Sequence, residues 1–386
     1  LIKLGCLTLC GVANIKRTKG EKKMKKRIIA ALLVGAMATG LVACGNSSES
    51  SSKEQKTESK EDKKESGDKD KIIWAKDNSG NTFLAIAEKK GWLEEDGIEV
   101  EEAPFDATND ALTALCGGQL DIISNYGTNT PLQNIAAGED LVIIGGYMAQ
   151  GCMPIVAKKG TEWNGLEDLI GKKVADVQTD ITITKPLLEK GYDPLNDIEW
   201  VEYPNYSDSL AAVLKGEVDY AVVGTSRNYE VAQNDGLEVM CYKSDNVPYY
   251  SCCRTVVTRK YLEENRDLLV KVMVDLLRGE QYYNANHDEC VDIMVDYMGV
   301  DKAYCESYMN NEHFKISNDP LRNAVIDTWN TLDKTGFLPD TAKDINIEDH
   351  IDTSIYEEAL AQCIEKYGDE DPEFWNGLKT FFDEHN

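Results

Sequence analysis

The sequence predicts a two-lobed α/β protein in which each lobe is a mainly parallel sheet flanked by helices, followed by a helical C-terminal extension. Short apolar runs alternate with amphipathic stretches, which is typical of strands and helices that follow one another in parallel sheets. A helix–glycine–strand segment occurs twice, at residues 112–123 and 210–221, once in each half of the chain. A length of 386 residues is sufficient for two domains.

Each copy of the repeated segment is the end of a helix, a glycine that permits the left-handed conformation of a helix end, and a short buried strand. The matched pairs are Leu112 with Leu210, Ala114 with Ala212, Gly118 with Gly216, and Asp121 with Asp219. A polar loop follows each copy, and ligands of open α/β sheets bind beyond the carboxyl ends of the strands. The repeat therefore predicts a ligand between two lobes. The alternative is two ordinary helix–turn–strand units with no functional tie.

The composition restricts the class of protein. A net charge of −27 argues against nucleic acid as a partner, because phosphates require a basic surface, and it suits a protein that faces outward. The cysteines form no CxxC pair and the four histidines are scattered, so neither a metal site nor a cofactor is predicted.

Residues 24–43 have the layout of a secretion signal, with a basic start at 24–27 and an apolar run at 28–40 that is too short to span a membrane. Residues 41–44, Leu-Val-Ala-Cys, resemble a bacterial lipobox. The resemblance implies that Cys44 becomes the lipidated N-terminus and anchors the protein to the outer face of the cell membrane. An ordinary signal with a chance cysteine is the alternative.

Two flanking segments complete this part of the chain. Residues 1–23 fit no signal layout, and Met24 is the better initiator, so we interpret them as upstream sequence outside the natural protein. Residues 44–71 are rich in Ser, Glu, Lys and Asp and offer almost nothing to bury, so we expect a disordered tether behind the anchor.

The first part of lobe 1 is assigned to residues 72–157. Its strands are apolar and partly β-branched, its loops carry Gly, Asn and Ser, and its helices show apolar stripes at helical spacing. In order, the predicted elements are a strand at 71–75, a polar loop at 77–81, a helix at 82–90, a strand near 98–100, a helix at 109–116, a strand at 120–124, a helix at 130–138 and strands at 141–145 and 153–157.

Lobe 2 is assigned to residues 158–254, and 255–386 return to lobe 1 as its second part with the C-terminal helices. In lobe 2 a strand at 174–177 leads into the loop 178–184 and a helix with proline in its first turn, where proline is tolerated. The second repeat copy then supplies a strand at 218–223, and a strand at 252–258 carries the chain back. Leucine and aromatic stripes further on indicate helices that pack on a core.

The candidate site residues are those in the loops after these strands and at the helix starts that follow. They are Asn78, Ser79, Thr82, Tyr126, Gly127, Thr128, Thr179, Thr182, Thr184, Thr225 and Arg227. The threonines at 179–184 and the free N–H groups of the next helix could hold an anion or a polar ligand, or they could simply cap that helix.

Two side chains indicate the ligand's chemistry. Tyr126 is suited to stack on a planar group, and the Arg227 fork is suited to a carboxylate or sulfonate. A salt bridge from Arg227 to Glu230 is the alternative for that residue. Because Asn, Ser, Thr and Tyr outnumber arginine in these loops, we expect a small polar organic molecule with at most one acidic group.

Four segments, at 91–100, 114–122, 166–174 and 258–265, resemble in order and spacing the extracytoplasmic solute-binding proteins called NMT1/THI5-like, which bind sulfonates, nitrate, taurine and pyrimidine precursors. The resemblance runs from about Ile72 to about Pro339. It implies a type II periplasmic-binding-protein-like fold that closes on its ligand, and an ABC permease and ATPase as partners. The segment after Thr341 receives no role.

The resemblance implies a monomeric, lipid-anchored substrate-binding protein of an ABC importer, not an enzyme. A ligand-sensing or adhesive lipoprotein without transport is a second possibility. A THI5-like pyrimidine-biosynthesis enzyme is a third, although Cys252-Cys253 is only superficially similar to the cysteine-rich run of those enzymes.

Overall fold

The computed structural model describes residues 69–105 and 107–386. The predicted upstream segment, the signal peptide and Cys44 lie outside the described residues, as does the predicted tether up to residue 68. Residues 70 and 71, which the tether prediction included, begin the first strand instead. Across the described ranges no helix combines the length and the apolar character needed to cross a membrane.

The strands of the described residues are short. They are β1 (Asp70–Lys76), β2 (Ile98–Pro104), β3 (Leu141–Gly146), β4 (Met148–Gln150), β5 (Pro154–Lys158), β6 (Lys173–Ala175), β7 (Glu199–Trp200), β8 (Tyr220–Val222), β9 (Leu237–Tyr242), β10 (Arg254–Thr258) and β11 (Lys315–Ile316).

The helices become longer and more frequent after β10. They are α1 (Thr82–Lys90), α2 (Trp92–Glu95), α3 (Thr108–Cys116), α4 (Asn129–Ala136), α5 (Ile181–Glu189), α6 (Pro194–Asp197), α7 (Tyr206–Lys215), α8 (Asn228–Ala232), α9 (Lys243–Asn246), α10 (Arg259–Ala285), α11 (His287–Met298), α12 (Lys302–Met309), α13 (Arg322–Lys334), α14 (Ser354–Tyr367) and α15 (Pro372–His385). Short 3₁₀ turns cover Leu166–Leu169, Thr225–Arg227, Asp340–Asp344 and Ile347–His350.

Lobe 1 is a set of small strand pairs rather than one continuous sheet. β1 pairs in parallel with β2, β10 pairs antiparallel with β3, and β11 pairs antiparallel with β4. The strand predicted at 120–124 is reduced to single bridges, Trp74 to Ile122 and Ile123 to Val256, which connect β1 to β10. The prediction of a strand there was wrong in extent, because only two residues of the run pair with neighbours.

Lobe 2 contains a five-stranded sheet in the order β7-β6-β8-β5-β9. β6 is parallel to β7 and β8, whereas β5 is antiparallel to β8 and β9. The sequence-based division placed the strand at 153–157 in lobe 1, but the pairing of β5 places it in lobe 2. An apolar run shows that a strand is buried without showing which sheet it joins, so the boundary could not be read from the pattern.

The aspartates of the two repeated segments form corresponding hydrogen bonds in the two lobes. The Oδ2 atom of Asp121 accepts a hydrogen bond of 2.7 Å from the backbone N–H of Ile73 in β1. Asp219 Oδ2 accepts one of 2.9 Å from the backbone N–H of Lys173 in β6. The glycine after each repeated helix has a positive φ, 69° and 79°. Asp121 therefore bonds to the middle of β1 and Asp219 to the first residue of β6, and the loops that follow both strands lie at the cleft.

The C-terminal extension is part of the core of lobe 1. Tyr356 of α14 and Trp375 of α15 are buried in the same apolar cluster as Ile72 and Trp74 of β1. The amide oxygen of Asn386, at the end of the described chain, accepts a hydrogen bond of 2.9 Å from the backbone N–H of Arg322. The last two helices thus stabilise the lobe that carries the first binding loop.

Candidate functional site

The cleft between the lobes holds two adjoining cavities. The first cavity, of about 250 Å³, lies between the loops that follow β1 and β8. The second cavity, of about 280 Å³, lies against the loop before α5. Residues shared by both linings are Thr108, Gly127, Met153, Tyr206 and Cys252.

Nine of the eleven predicted site residues line these cavities. Asn78, Ser79, Tyr126, Gly127, Thr225 and Arg227 line the first cavity, and Gly127, Thr128, Thr179 and Thr182 line the second. Thr82 and Thr184 line neither.

The two excluded threonines are turned into the protein. Thr82 is completely buried, and its hydroxyl lies 2.9 Å from the hydroxyl of Tyr147. Thr184 is buried as well and donates a hydrogen bond of 2.9 Å to the carbonyl oxygen of Asp180. Both side chains are hydrogen-bonded inside their lobes, so the prediction that they face the cleft was wrong. A sequence pattern can show where a helix begins, but it does not show which residues of the first turn face the cavity.

The loop after β1 is held in shape by Asp77. Its carboxylate accepts hydrogen bonds from the backbone N–H groups of Ser79 and Gly80, at 3.0 and 2.8 Å, and from the Ser79 hydroxyl at 2.9 Å. The side-chain amide of Asn125 donates to the carbonyl oxygen of Gly80 at 2.6 Å. Burial raises the pKa of Asp77 to about 6, although these hydrogen bonds act in the opposite direction. The Asn78 and Ser79 segment is therefore a preformed wall of the first cavity.

The loop of 126–128 joins the crossing segment between the lobes. The hydroxyl of Thr128 donates to the carbonyl oxygen of Ser251, and Gly127 forms a bridge with Cys253. The Tyr126 hydroxyl donates to the carbonyl oxygen of Phe105 at 3.0 Å. Tyr126 lines the first cavity but is only 5% exposed, so little of its ring is accessible for stacking on a ligand.

The start of α5 is occupied by a carboxylate. Asp180 caps the helix, and its Oδ1 atom accepts hydrogen bonds from the backbone N–H and the hydroxyl of Thr182 at 2.9 and 2.6 Å. The ammonium of Lys243 lies 2.8 Å from Asp180 Oδ2. The capping alternative therefore describes Thr182, since the N–H group that could have held an anion is already bonded to Asp180.

Three charged residues in the second cavity were not predicted: Asp176, Asp180 and Lys243. Burial raises the pKa of Asp176 well above its ordinary value, and the neighbouring carboxylate of Asp180 adds to this rise. Burial also acts to raise the pKa of Asp180, but Lys243 and the hydrogen bonds from Asp176 and Thr182 together outweigh burial and lower the pKa. For Lys243, burial favours the neutral amine, yet Asp180 and Asp176 raise its pKa.

A signal for one of the three was present in the sequence. Asp176 comes directly after β6, so the strand-end rule used for the other loops applies to it. Lys243 begins α9, more than sixty positions further along the chain, and its approach to Asp180 is a tertiary contact that no local pattern contains.

Arg227 lines the first cavity and already has a partner. Its Nη1 atom lies 3.3 Å from Glu230 Oε2, which also accepts a hydrogen bond of 3.1 Å from the Ser207 hydroxyl. Its Nε atom is buried and has no hydrogen-bond partner among the described residues. The guanidinium is thus only partly paired, and its Nε–H group remains without an acceptor among the described residues.

The cleft also contains a pair of adjacent thiols. Cys252 lines both cavities, and its sulfur lies 3.6 Å from that of Cys253. The hydrogen bond from Cys253 lowers the pKa of Cys252 to about 7, against the effect of burial. Both cysteines are free thiols in the structure.

The lobes contact each other on both sides of the cavities. Asn129 donates from its side-chain amide to the carbonyl oxygen of Thr179 at 2.8 Å. The ring centroid of Tyr304 in α12 of lobe 1 lies 6.0 Å from that of Tyr229 in lobe 2. The arrangement is a cleft with its walls already in contact.

The sequence profile of the family described as NMT1/THI5 like matches residues 78–290, which include both cavity walls. The chain belongs to the NMT1/THI5-like family. The resemblance predicted from the sequence is confirmed.

Several of the proteins to which the chain is similar are named as solute-binding proteins. The chain is 23% identical over 226 residues to the formylaminopyrimidine-binding protein of Halalkalibacterium halodurans, covering 56% of this chain and 67% of that protein. The crystal structure of the periplasmic aliphatic sulphonate binding protein SsuA from Escherichia coli superposes with a TM-score of 0.62 at 19% identity, covering 75% of this chain and 99% of SsuA. The periplasmic nitrate-binding protein NrtA from Synechocystis PCC 6803 gives a TM-score of 0.62 at 15% identity, covering 79% and 91%. At these identities the structural neighbours establish the two-lobed periplasmic binding protein fold.

Proposed function

We propose that this NMT1/THI5-like protein is the substrate-binding component of an ABC importer. It captures a small polar organic solute between its lobes and delivers it to a membrane permease that is driven by an ATPase. The observation that carries the proposal is the cleft itself, in which loops from both lobes line two adjoining cavities with polar side chains.

The chemistry of the cleft supports capture of a solute with several hydrogen-bonding groups. Asn78, Ser79, Thr179 and Thr225 present amide and hydroxyl groups, and Arg227 offers a partly paired guanidinium that suits one acidic group. Pockets that combine a closed shape with a few convergent polar groups are the usual form of small-molecule sites. With Tyr126, Gly127 and Thr128, these residues form the proposed contact set.

The proposal also includes a lipid anchor and a position outside the cell membrane. We infer from the lipobox that Cys44 carries a lipid and holds a monomer on the outer face of the cell membrane. A binding rather than catalytic role fits the relatives, which include a formylaminopyrimidine-binding protein and a sulphonate-binding protein.

The experiment that tests the proposal is a thermal-shift screen of the purified protein. The library contains sulfonates, carboxylates, amines, nitrate, pyrimidines, flavins and nucleosides. A ligand that binds only the native state raises Tm, by an amount that grows with its concentration over Kd. Saturable binding of at least one small solute, verified by calorimetry with a one-to-one stoichiometry, is the expected result. Absence of any concentration-dependent shift across the library would contradict a solute-capture role.

A further inference from the structure

The second cavity has a charge imbalance. Two carboxyl groups, Asp176 and Asp180, share it with the single ammonium of Lys243. Lys243 is committed to Asp180, with 2.8 Å between Nζ and Oδ2, and Asp180 also accepts both bonds from Thr182 through Oδ1. Asp180 is therefore paired with a cation, whereas Asp176 shares a hydrogen bond with Asp180 and forms no ion pair among the described residues.

Asp176 has an incomplete hydrogen-bond shell. Its Oδ2 atom is buried and accepts no hydrogen bond within the part of the chain that the structure describes. A buried carboxylate is unfavourable unless it is paired and hydrogen-bonded. A carboxyl group of this kind at the wall of a cavity is suited to a partner that enters from the cavity.

A second, independent feature of the same cavity points to a ligand. The side chain of Ser251 is completely buried and lines the second cavity. Its hydroxyl has no hydrogen-bond partner among the described residues. Buried hydroxyl groups are normally hydrogen-bonded, so an unpartnered hydroxyl on a residue that lines the cavity points to a polar group of a ligand as its partner.

We infer that the solute carries a protonated amine, which sits in the second cavity against Asp176 and next to the hydroxyl of Ser251. This inference rests on the proposed function and names the solute class that the same cleft takes. One positive charge from the ligand brings the two carboxylates and Lys243 to neutrality. An anionic group at this position would instead meet two carboxylates, so the acidic group of a zwitterionic solute belongs in the first cavity near Arg227.

The direction of the pKa shift of Asp176 agrees with this placement. Burial and the adjacent Asp180 raise the pKa of Asp176 well above its ordinary value, against the effect of Lys243, so Asp176 keeps its proton to a higher pH than an ordinary carboxyl group. The charged and titratable groups that face it are Asp180, Lys243 and the phenol of Tyr206 from α7. An ammonium group that replaces this proton should release it to the solvent.

The test uses pairs of compounds that differ only in an ammonium or a hydroxyl group. The pairs are taurine with isethionate, β-alanine with 3-hydroxypropionate, putrescine with 1,4-butanediol, and benzylamine with benzyl alcohol. Thermal shifts and calorimetry compare the wild-type protein with Asp176→Asn, which removes the charge at nearly constant shape. Asp235→Asn, an exposed acid of lobe 2, is the matched control for net charge.

We expect the amine of at least one pair to bind at least tenfold more tightly than its hydroxyl counterpart. Asp176→Asn should weaken the amine at least tenfold and leave the hydroxyl compound within twofold, while Asp235→Asn changes neither. Calorimetry in buffers of different ionisation enthalpy should detect proton release on binding by the wild type and not by Asp176→Asn. If Asp176→Asn does not fold, the wild-type preference within each pair and its proton release decide the question.

The outcomes separate this inference from the function on which it rests. Binding of isethionate, 3-hydroxypropionate or another hydroxyl compound as tightly as its amine, with no proton release, would overturn the amine site and leave solute capture standing. Binding only of simple anions from the wider library would do the same. No binding by any compound would overturn both.

Discussion

Arg227 lines the first cavity of the cleft and Asp176 lines the second, and their ionised forms have opposite charges. Arg227 shares its guanidinium with Glu230 at 3.3 Å, whereas Asp176 lies beside Asp180 in the second cavity. Because the charged form of each is only partly compensated by the protein, both residues can discriminate between solutes by charge.

Arg227→Ala tests the acidic end of the solute. Loss of a buried charge-assisted contact should weaken binding of an acid-bearing ligand by roughly 2 to 5 kcal/mol in calorimetry. Glu230→Gln is the matched control, because it removes the competing carboxylate and should keep or increase the affinity. A change within about 0.5 kcal/mol for Arg227→Ala, which is less than the usual value of a single hydrogen bond, would show that Arg227 is not a ligand contact.

Glu280 predicts a pH dependence of stability. It is buried and accepts hydrogen bonds from the backbone and side-chain N–H groups of Asn318 at 2.9 and 2.8 Å. Burial raises its pKa to about 7, against these hydrogen bonds. The folded state therefore holds a proton that the unfolded state releases, so this stabilisation is complete below the unfolded pKa and is lost as the pH rises through about 7.

Denaturant unfolding between pH 4.5 and 8 measures this effect. The wild type should lose up to about 3 kcal/mol relative to Glu280→Gln as the pH rises, since each unit of pKa shift corresponds to about 1.4 kcal/mol. Other buried acids, such as Asp275, act in the same direction, so the difference between variant and wild type isolates Glu280. Parallel stability curves would mean that Glu280 is ionised in the folded protein.

The lipid anchor is predicted to be attached to Cys44. In cells, Cys44→Ala should leave the precursor unprocessed or release the protein into the medium, because the sulfur that would carry the lipid is absent. Mass spectrometry of the membrane fraction measures the modification, and Cys116→Ala, at an exposed cysteine of the folded part, is the control. Unchanged mass and membrane association in Cys44→Ala would refute lipidation at this residue.

At the scale of elements, the sequence predicted those features that depend on neighbouring residues and missed those that depend on contacts between distant ones. Loops after β1 and β8 lie at the cleft because the carboxyl ends of the strands determine their position, and Ser79 and Thr225 could be named on that basis. Membership of β5 in one sheet or the other depends on long-range pairing and could not be predicted. The position of Lys243 could not be predicted either, because its partner Asp180 lies at a helix start far away in the sequence.

Helix α10 packs against α1 at a glycine. A Cβ atom at Gly279 would lie 2.8 Å from the carbonyl oxygen of Phe83 and 3.2 Å from its Cα, which are backbone atoms that cannot move independently. Gly279→Ala should therefore destabilise the protein by about 1 to 2 kcal/mol in denaturant unfolding, the strain exceeding the gain in helix propensity.

The control for this prediction is Gly377→Ala in α15. A Cβ atom there would meet nothing within 4 Å, so only the helix propensity changes. This variant should be neutral or more stable by up to about 1 kcal/mol. Equal stability of Gly279→Ala and the wild type would show that the two helices can separate without loss.

For the whole molecule, the two-lobed fold could be predicted because the repeat places one binding loop in each lobe. The contacts that hold the lobes together could not, since they join residues far apart in the chain. Lys185 of α5 forms an ion pair with Asp327 of α13, and the ring of Tyr304 in lobe 1 packs against that of Tyr229 in lobe 2. These contacts are few and partly exposed, so each contributes roughly 0 to 1 kcal/mol.

Weak contacts between lobes make closure sensitive to a ligand. A solute that touches both lobes binds the closed arrangement better and shifts the hinge equilibrium toward it by its difference in affinity. Small-angle scattering should therefore show a smaller radius of gyration when the compound with the largest thermal shift is saturating. Asp327→Asn, which weakens the ion pair with Lys185, should be more open without ligand and close to the same final radius with it. A library compound that gives no thermal shift is the control, and an unchanged radius in both proteins at saturation would mean that the lobes do not move on binding.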